Sequence, residues 1–206
     1  MNLEFLQSKW NLLVTIAGAI ITILAGFVDI PSYAAIALGS DANYESLGKL
    51  VLAIVIAIML VPCTLLNKKK HVIYWGAATI LLLLTALFIY FKSVSNKKKT
   101  TVDYTSYSGG YVVKGNNLLP ENKVMWIEIE KEKGSKLTET EFFAENHDPN
   151  DSTGRLTASI LWPDKEIESN AKKIIYYYLF TLLLFALSII CAVQTVYCIT
   201  ATGEKK

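Results

Sequence analysis

VIYWGAATILLLLTALFIYF, residues 72–91, is a run of twenty residues without a single charge. A helix rises about 1.5 Å per residue and the hydrocarbon core of a bilayer is about 30 Å thick, so this run has the length of a membrane span. Tyr74 and Trp75 stand at one end and Tyr90 and Phe91 at the other, as aromatic rings do at membrane–water boundaries. Three further runs of similar character flank it. Residues 11–30 and 47–66 precede it, and residues 174–199 form the last. The sequence therefore predicts a polytopic α-helical membrane protein with four transmembrane helices. A small α+β extramembrane domain, residues 92–173, is inserted between the third and fourth helices. Residues 200–206 read as a cytoplasmic tail.

The first nine residues form a short amphipathic lead. Glu4 sits where a secretory signal carries basic residues, and the apolar run that follows is long, so a cleaved signal is not expected. Trp10 is placed as an interfacial anchor, as are Trp75 and the triplet Tyr176, Tyr177 and Tyr178. Gly18, Thr22 and Gly26 recur every four residues and give the first helix a face of small side chains, suited to close helix packing or a subunit contact. Asp29 and Pro31 end that helix. The apolar piece Tyr33–Leu38 is too short to span and reads as interfacial or re-entrant. Pro62 is expected to kink or end the second helix. Gln194, near the exit of the fourth, is expected to bond across helices. Cys63, Cys191 and Cys198 all fall within spans, so no disulfide framework is read.

Orientation follows from lysine placement. Lys9, Lys68, Lys69, Lys70, Lys205 and Lys206 share one side, and among short segments only Lys49 lies on the other. Short loops dominate the positive-inside rule. The termini and the loop 67–71 are therefore expected in the cytoplasm of a cell with the chain in its inner membrane, and the 92–173 domain outside, in the periplasm. The run Lys97–Lys99 opposes this reading.

Within the insert, residues 92–100 read as a linker or juxtamembrane stalk. Residues 101–113 read as a β-hairpin turning at Gly109-Gly110. Alternation across Lys123–Lys131 predicts a half-buried strand, and Leu156–Trp162 another. Thr138-Glu139-Thr140-Glu141 fits a capping box opening a short helix through Phe142 and Phe143. Residues 166–173 are expected to lead helically into the fourth span. From 100 to 168 there are seven basic and thirteen acidic residues, a net of −6, which argues against nucleic-acid binding by this domain, since that affinity rests on phosphate neutralisation.

The sequence carries no Gly-rich phosphate loop, HExxH or GxSxG. His71 and His147 fall on different sides in this topology, and no Cys/His cluster has metal spacing. Asp148, Asn150 and Asp151 near Gly154 lack the spacing of a calcium loop and read as a solvated turn. No enzyme activity, cofactor or metal is expected.

Four spans, about two hundred residues and one domain between the last two spans resemble membrane subunits of bacterial anti-phage defence systems, the membrane subunit of the Kiwa system among them. The resemblance rests on organisation and transfers no residue roles. It implies an oligomeric inner-membrane sensor that relays a perturbation at the cell surface to a cytoplasmic effector. On this reading the chain is a non-enzymatic sensor or scaffold whose partners are membrane lipids, further copies of itself and a cytoplasmic protein docking on Lys68, Lys69 and Lys70. The alternative is an oligomeric ion channel or pore-forming effector, lined by Thr15, Thr22, Thr79 and Thr85.

Overall fold

The computed structural model describes residues 32–38, 50, 53–55, 58–59, 61–63, 65–66, 68–104, 110–148 and 150–200. The first predicted span, with Trp10, Thr15, Gly18, Thr22 and Gly26, lies outside the described residues, as do Lys49 and residues 201–206. The described chain is mostly helical. Two helices are long and apolar enough to cross a membrane, and a single two-stranded sheet accompanies them.

The elements are α1 (Ser32–Ala37), α2 (Val72–Thr100), β1 (Thr101–Asp103), β2 (Tyr111–Val113), α3 (Pro120–Lys133), α4 (Glu139–Glu145), α5 (Arg155–Leu161) and α6 (Asp164–Thr200). A single 3-10 turn, Lys69–His71, opens α2. The described residues between 50 and 65 are helical. The chain divides into two compact units. One comprises residues 1–29, 43–90 and 179–206; the other comprises residues 30–42 and 91–178.

In the first unit, only 11% of the apolar window of α2 is buried, against 39% for α6. Ile73, Ile80, Leu84 and Phe88 lie exposed on α2, an apolar surface of the kind that meets lipid or another helix. The buried face is narrow. Trp75 packs with Cys63, Cys191 and Cys198, and Met59, Val72, Ala78, Leu82 and Ile190 close around them. Gly76 faces Thr195, whose Cγ2 would lie 3.8 Å from an added Cβ.

The second unit has a conventional core. Trp162, Phe142, Phe143 and Leu161 are its largest fully buried side chains. The rings of Trp126 and Phe142 lie 4.8 Å apart, and Phe143 stacks on Trp162 at 6.1 Å. The hairpin forms as predicted: β1 and β2 are antiparallel, with Thr101 opposite Val113 and Asp103 opposite Tyr111. The expected turn at Gly109-Gly110 lies partly outside the described residues, and Tyr104 N–H donates to Gly110 O at 3.1 Å beside the strands. Gly110 there takes φ 67°, which favours glycine. Two strands alone hold no core, and α1 packs on β2 to bury Tyr33, Ala34 and Ala37.

Residues 92–100 are helix, the end of α2, rather than loose linker. The Thr100 and Thr101 hydroxyls donate to Asn96 O and Lys97 O, each at 2.8 Å, closing that end. Helix α4 carries the predicted capping box. Thr138 Oγ1 accepts from Glu141 N–H at 3.3 Å, and Glu141 Oε2 accepts from Thr138 N–H at 2.8 Å.

Two local expectations are corrected. Lys123–Lys131 is helix α3, not a strand: Pro120 sits in its first turn, Lys131 and Lys133 in its last, and Gly134 closes it at φ 65°. The same stretch also satisfies a helix, because its sheltered residues Met125, Trp126, Ile129 and Glu130, with Asn122 just before them, recur every three to four positions. Leu156–Trp162 is helix α5 rather than a strand, ending at Trp162 before Pro163. Tyr33–Leu38 takes a helical form up to Ala37. Residues 32–37 form α1, a packed part of the second unit.

Candidate functional site

The groups with the most specific geometry in the second unit surround α1. Lys97 Nζ lies 3.5 Å from the ring centroid of Tyr111 and 5.3 Å from that of Tyr33, and the two rings are 5.7 Å apart. A cation held against two aromatic faces is worth about 0.5–2 kcal/mol per contact. Burial, and then the neighbouring Tyr111, pushes the Tyr33 hydroxyl up to about 12. The lysine triplet is therefore divided by helical geometry. Lys97 turns toward the α1–β2 junction, while Lys98 and Lys99 are exposed.

A narrow cleft runs beside this junction, lined by Tyr33, Ile36, Val112, Arg155 and Ile167 among others. Its volume is about 10 Å³, room for at most one water. Arg155, the sole arginine of the sequence, stands exposed at the head of α5.

Carboxylates fix the loops of this unit. Glu166 Oε2 accepts from the backbone N–H of Asn116 (2.6 Å) and Asn117 (2.9 Å). Those bonds, Asn117 first, hold its carboxyl below the usual range despite some burial. Gly115 is required here: an added Cβ would meet Trp162 Cβ at 2.8 Å and Glu166 Oε2 at 3.0 Å. Asp151 is buried rather than part of a solvated turn. Its Oδ2 accepts from Thr157 N–H (2.8 Å) and the Thr157 hydroxyl (3.0 Å), and its Oδ1 accepts from Thr153 N–H (3.2 Å). Burial pushes its carboxyl up, but these hydrogen bonds outweigh it and hold the group low. Asp148 closes a local turn, accepting from Asn150 N–H at 2.8 Å. The described residues contain no group of three His, Cys, Asp or Glu placed to hold a metal ion. Asn170 Nδ2 donates to Lys114 O at 2.8 Å, and the largely buried Lys114 ammonium pairs with Glu139.

The first unit spends its polar groups on one helix end. Trp75 Nε1–H donates to Leu66 O at 2.8 Å, Gln194 Nε2 donates to Cys63 O at 2.8 Å, and the Cys198 thiol donates to Leu66 O at 3.6 Å. Carbonyls in the last turn of a helix have no partner of their own, and lipid offers none. Gln194 thus bonds across helices as the sequence suggested. Trp75 departs from its role as an interfacial anchor: it is buried and faces inward. Residues 61–63, with Pro62 among them, and Leu65 are helical, and Leu66 is not.

Of the other residues singled out from sequence, Lys68, Lys69 and Lys70 are exposed together at the turn before α2. Tyr176 is exposed, while Tyr177 and Tyr178 are half-buried, and Lys92 Nζ lies 5.9 Å over the Tyr177 ring. The hydroxyls of Thr79 and Thr85 donate to Trp75 O and Leu81 O of their own helix, at 2.9 and 2.8 Å. Sequence reasoning missed Tyr33, Lys97 and Tyr111, because nothing local in the sequence pairs residues so far apart along the chain. No family model, no curated protein and no solved structure matches this chain.

Proposed function

We propose that the chain is a non-enzymatic, four-span inner-membrane sensor or scaffold. On this reading the unit formed by residues 30–42 and 91–178 lies outside, and the termini and Lys68–Lys70 face the cytoplasm. An event at the cell surface, such as phage attack, changes the outer unit, and the change reaches a cytoplasmic protein docked on the lysine turn. Further copies of the chain complete the assembly.

One observation supports this reading above the others: α1 belongs to the same unit as the sheet and helices α3–α5. The chain thus leaves this unit at residues 30, 42, 91 and 178, each within five residues of the edge of a hydrophobic run. In a four-span topology, the connection between the first two spans and the insert between the last two must share a side. The contacts of Tyr33 with Tyr111 and Lys97 satisfy that requirement. A displacement of such a unit is felt by all four runs through the backbone. The channel reading draws less support, since the hydroxyls of Thr79 and Thr85 are already bonded to their own helix.

Side-specific labelling tests the reading. Ser135 is exposed, and the three native cysteines are buried. Ser135→Cys is expected to react with a membrane-impermeant maleimide in intact cells. Reaction only after lysis inverts the topology and removes surface sensing. Capture of a soluble cytoplasmic partner that persists after Lys68, Lys69 and Lys70 are all changed to Glu removes the docking assignment.

A further inference from the structure

Six lysines flank the two apolar helices within the second unit: Lys92, Lys97, Lys98 and Lys99 on α2, and Lys172 and Lys173 on α6. Their environments differ. Lys97 is held over Tyr33 and Tyr111, and Lys172 reaches Glu168 at 3.5 Å. Lys92, Lys98, Lys99 and Lys173 are exposed and have no ion pair among the described residues; Lys98 lies about 100° around α2 from Lys99, off the face that Lys92 and Lys99 share.

Of the other three, two share a face of α2, and the third lies on the face of α6 that meets it. Lys92 and Lys99 are seven apart on α2, which places them on one face about 10 Å apart along the axis. Lys173 lies four before Tyr177 on α6, so these two share a face as well. The contact of Lys92 Nζ with the Tyr177 ring, at 5.9 Å, brings the two faces together. Like charges lining two facing helices without a carboxylate partner favour a counter-anion. Lys92 directly follows the apolar run ending at Phe91, and Lys173 directly precedes the run beginning at Ile174. Phe91 and Tyr176, beside them in sequence, are each 67% exposed. A free phosphate gives no account of those exposed rings, whereas a lipid headgroup sits at the level where lysines and aromatic rings meet the bilayer.

We infer that Lys92, Lys99 and Lys173 form a binding site for the phosphate of an anionic lipid headgroup. The inference rests on the membrane-spanning reading above. A lysine near an anionic surface favours binding by about fivefold. The full chain is reconstituted in bilayers of equal parts phosphatidylglycerol and phosphatidylcholine, and the lipids retained after gentle extraction are counted by native mass spectrometry. The wild type is expected to retain phosphatidylglycerol severalfold over phosphatidylcholine. Lys92→Gln, Lys99→Gln and Lys173→Gln together are expected to level the two. The control Lys131→Gln, Lys136→Gln and Lys165→Gln, which removes the same charge from exposed positions elsewhere, is expected to keep the preference. Equal retention by the wild type overturns the site, and so does loss of preference in the control. Loss of preference on adding excess inorganic phosphate assigns the site to a soluble anion instead and overturns the lipid assignment. Failure of the chain to stay with bilayers at alkaline pH marks failure of the membrane-spanning reading itself, and the site falls with it.

Discussion

The two units both close helix ends with side chains, but they draw those side chains from different distances. In the first unit the carbonyls of Cys63 and Leu66 are met by Gln194, Cys198 and Trp75, the first two from the far end of the chain. In the second unit the N-terminal ends of α4 and α5 are closed by near neighbours, Glu141 with Thr138 and Asp151 with Thr157, whereas the last carbonyls of α5, at Ile160 and Leu161, accept from Asn122 of α3. An N-terminal N–H is within reach of a side chain from the same turn, while these C-terminal carbonyls are met from other helices in both units. Among these bonds the first unit has only the distant kind, and the second has both.

The largest test removes an aromatic anchor. Phe142→Ala deletes a fully buried ring from the core of the second unit and is expected to cost about 3–5 kcal/mol. Amide hydrogen exchange read by mass spectrometry is expected to accelerate across β1, β2 and α3–α5. Equal acceleration through residues 72–90 and 179–199 would show that the units unfold as one and would dissolve the comparison.

Next come the caps themselves. Gln194→Leu strands the carbonyl of Cys63 and is expected to cost about 1–3 kcal/mol. Exchange should rise in both helices the bond joins, around residues 58–66 and 190–199. Asp151→Ala is expected to cost a similar amount, yet raise exchange only in α5 and the turn before it. A change confined to α6 in the first variant would mean that Gln194 ties nothing together.

Acid and alkali separate the units further. Glu141, Asp151 and Glu166 are held below their ordinary range by hydrogen bonds that the unfolded chain lacks. The unfolded state binds protons more readily, so their contribution is full above about pH 5 and is lost as pH falls through 4 and below. Tyr33 works in the other direction. Raised to about 12 in the fold, it contributes fully below pH 10 and loses that contribution, about 2 kcal/mol, as pH rises from 10 toward 12. A pH series of the exchange experiment should show both losses in the second unit, and Tyr33→Phe should remove the alkaline one alone.

The smallest effect is expected from Thr79→Val. Its hydroxyl donates within its own helix, so stability should change by less than about 0.5 kcal/mol. A measured change in ion conductance on the same substitution would instead place Thr79 in a pore lining.

What the sequence made legible follows the same local-versus-distant division. The capping box at Thr138 and the hairpin at Thr101–Val113 were readable because the residues that make them are neighbours. The cross-helix role of Gln194 was readable because a lone amide among apolar residues needs a partner. Helix α3 was misread because alternation in Lys123–Lys131 fits two periods at once. The flanking Pro120 and Gly134, both helix-end signals, decide it for a helix. The packing of α1 on β2 has no local signal, because its partner lies more than seventy residues further along. The inward turn of Trp75 and the seating of Lys97 between two tyrosines depend on packing that no local pattern encodes.

The exposed Arg155 carries one more consequence. Being the single arginine in 206 residues, it gives an arginine-specific protease one cleavable bond, Arg155–Leu156, which would divide the chain into fragments 1–155 and 156–206. Because the bond lies in the first turn of α5, cutting requires that turn to open. The cleavage rate is thus a built-in clock for the opening of α5, read from two bands on a gel. It can be run in native membranes, before and after any stimulus, without a label or an added residue.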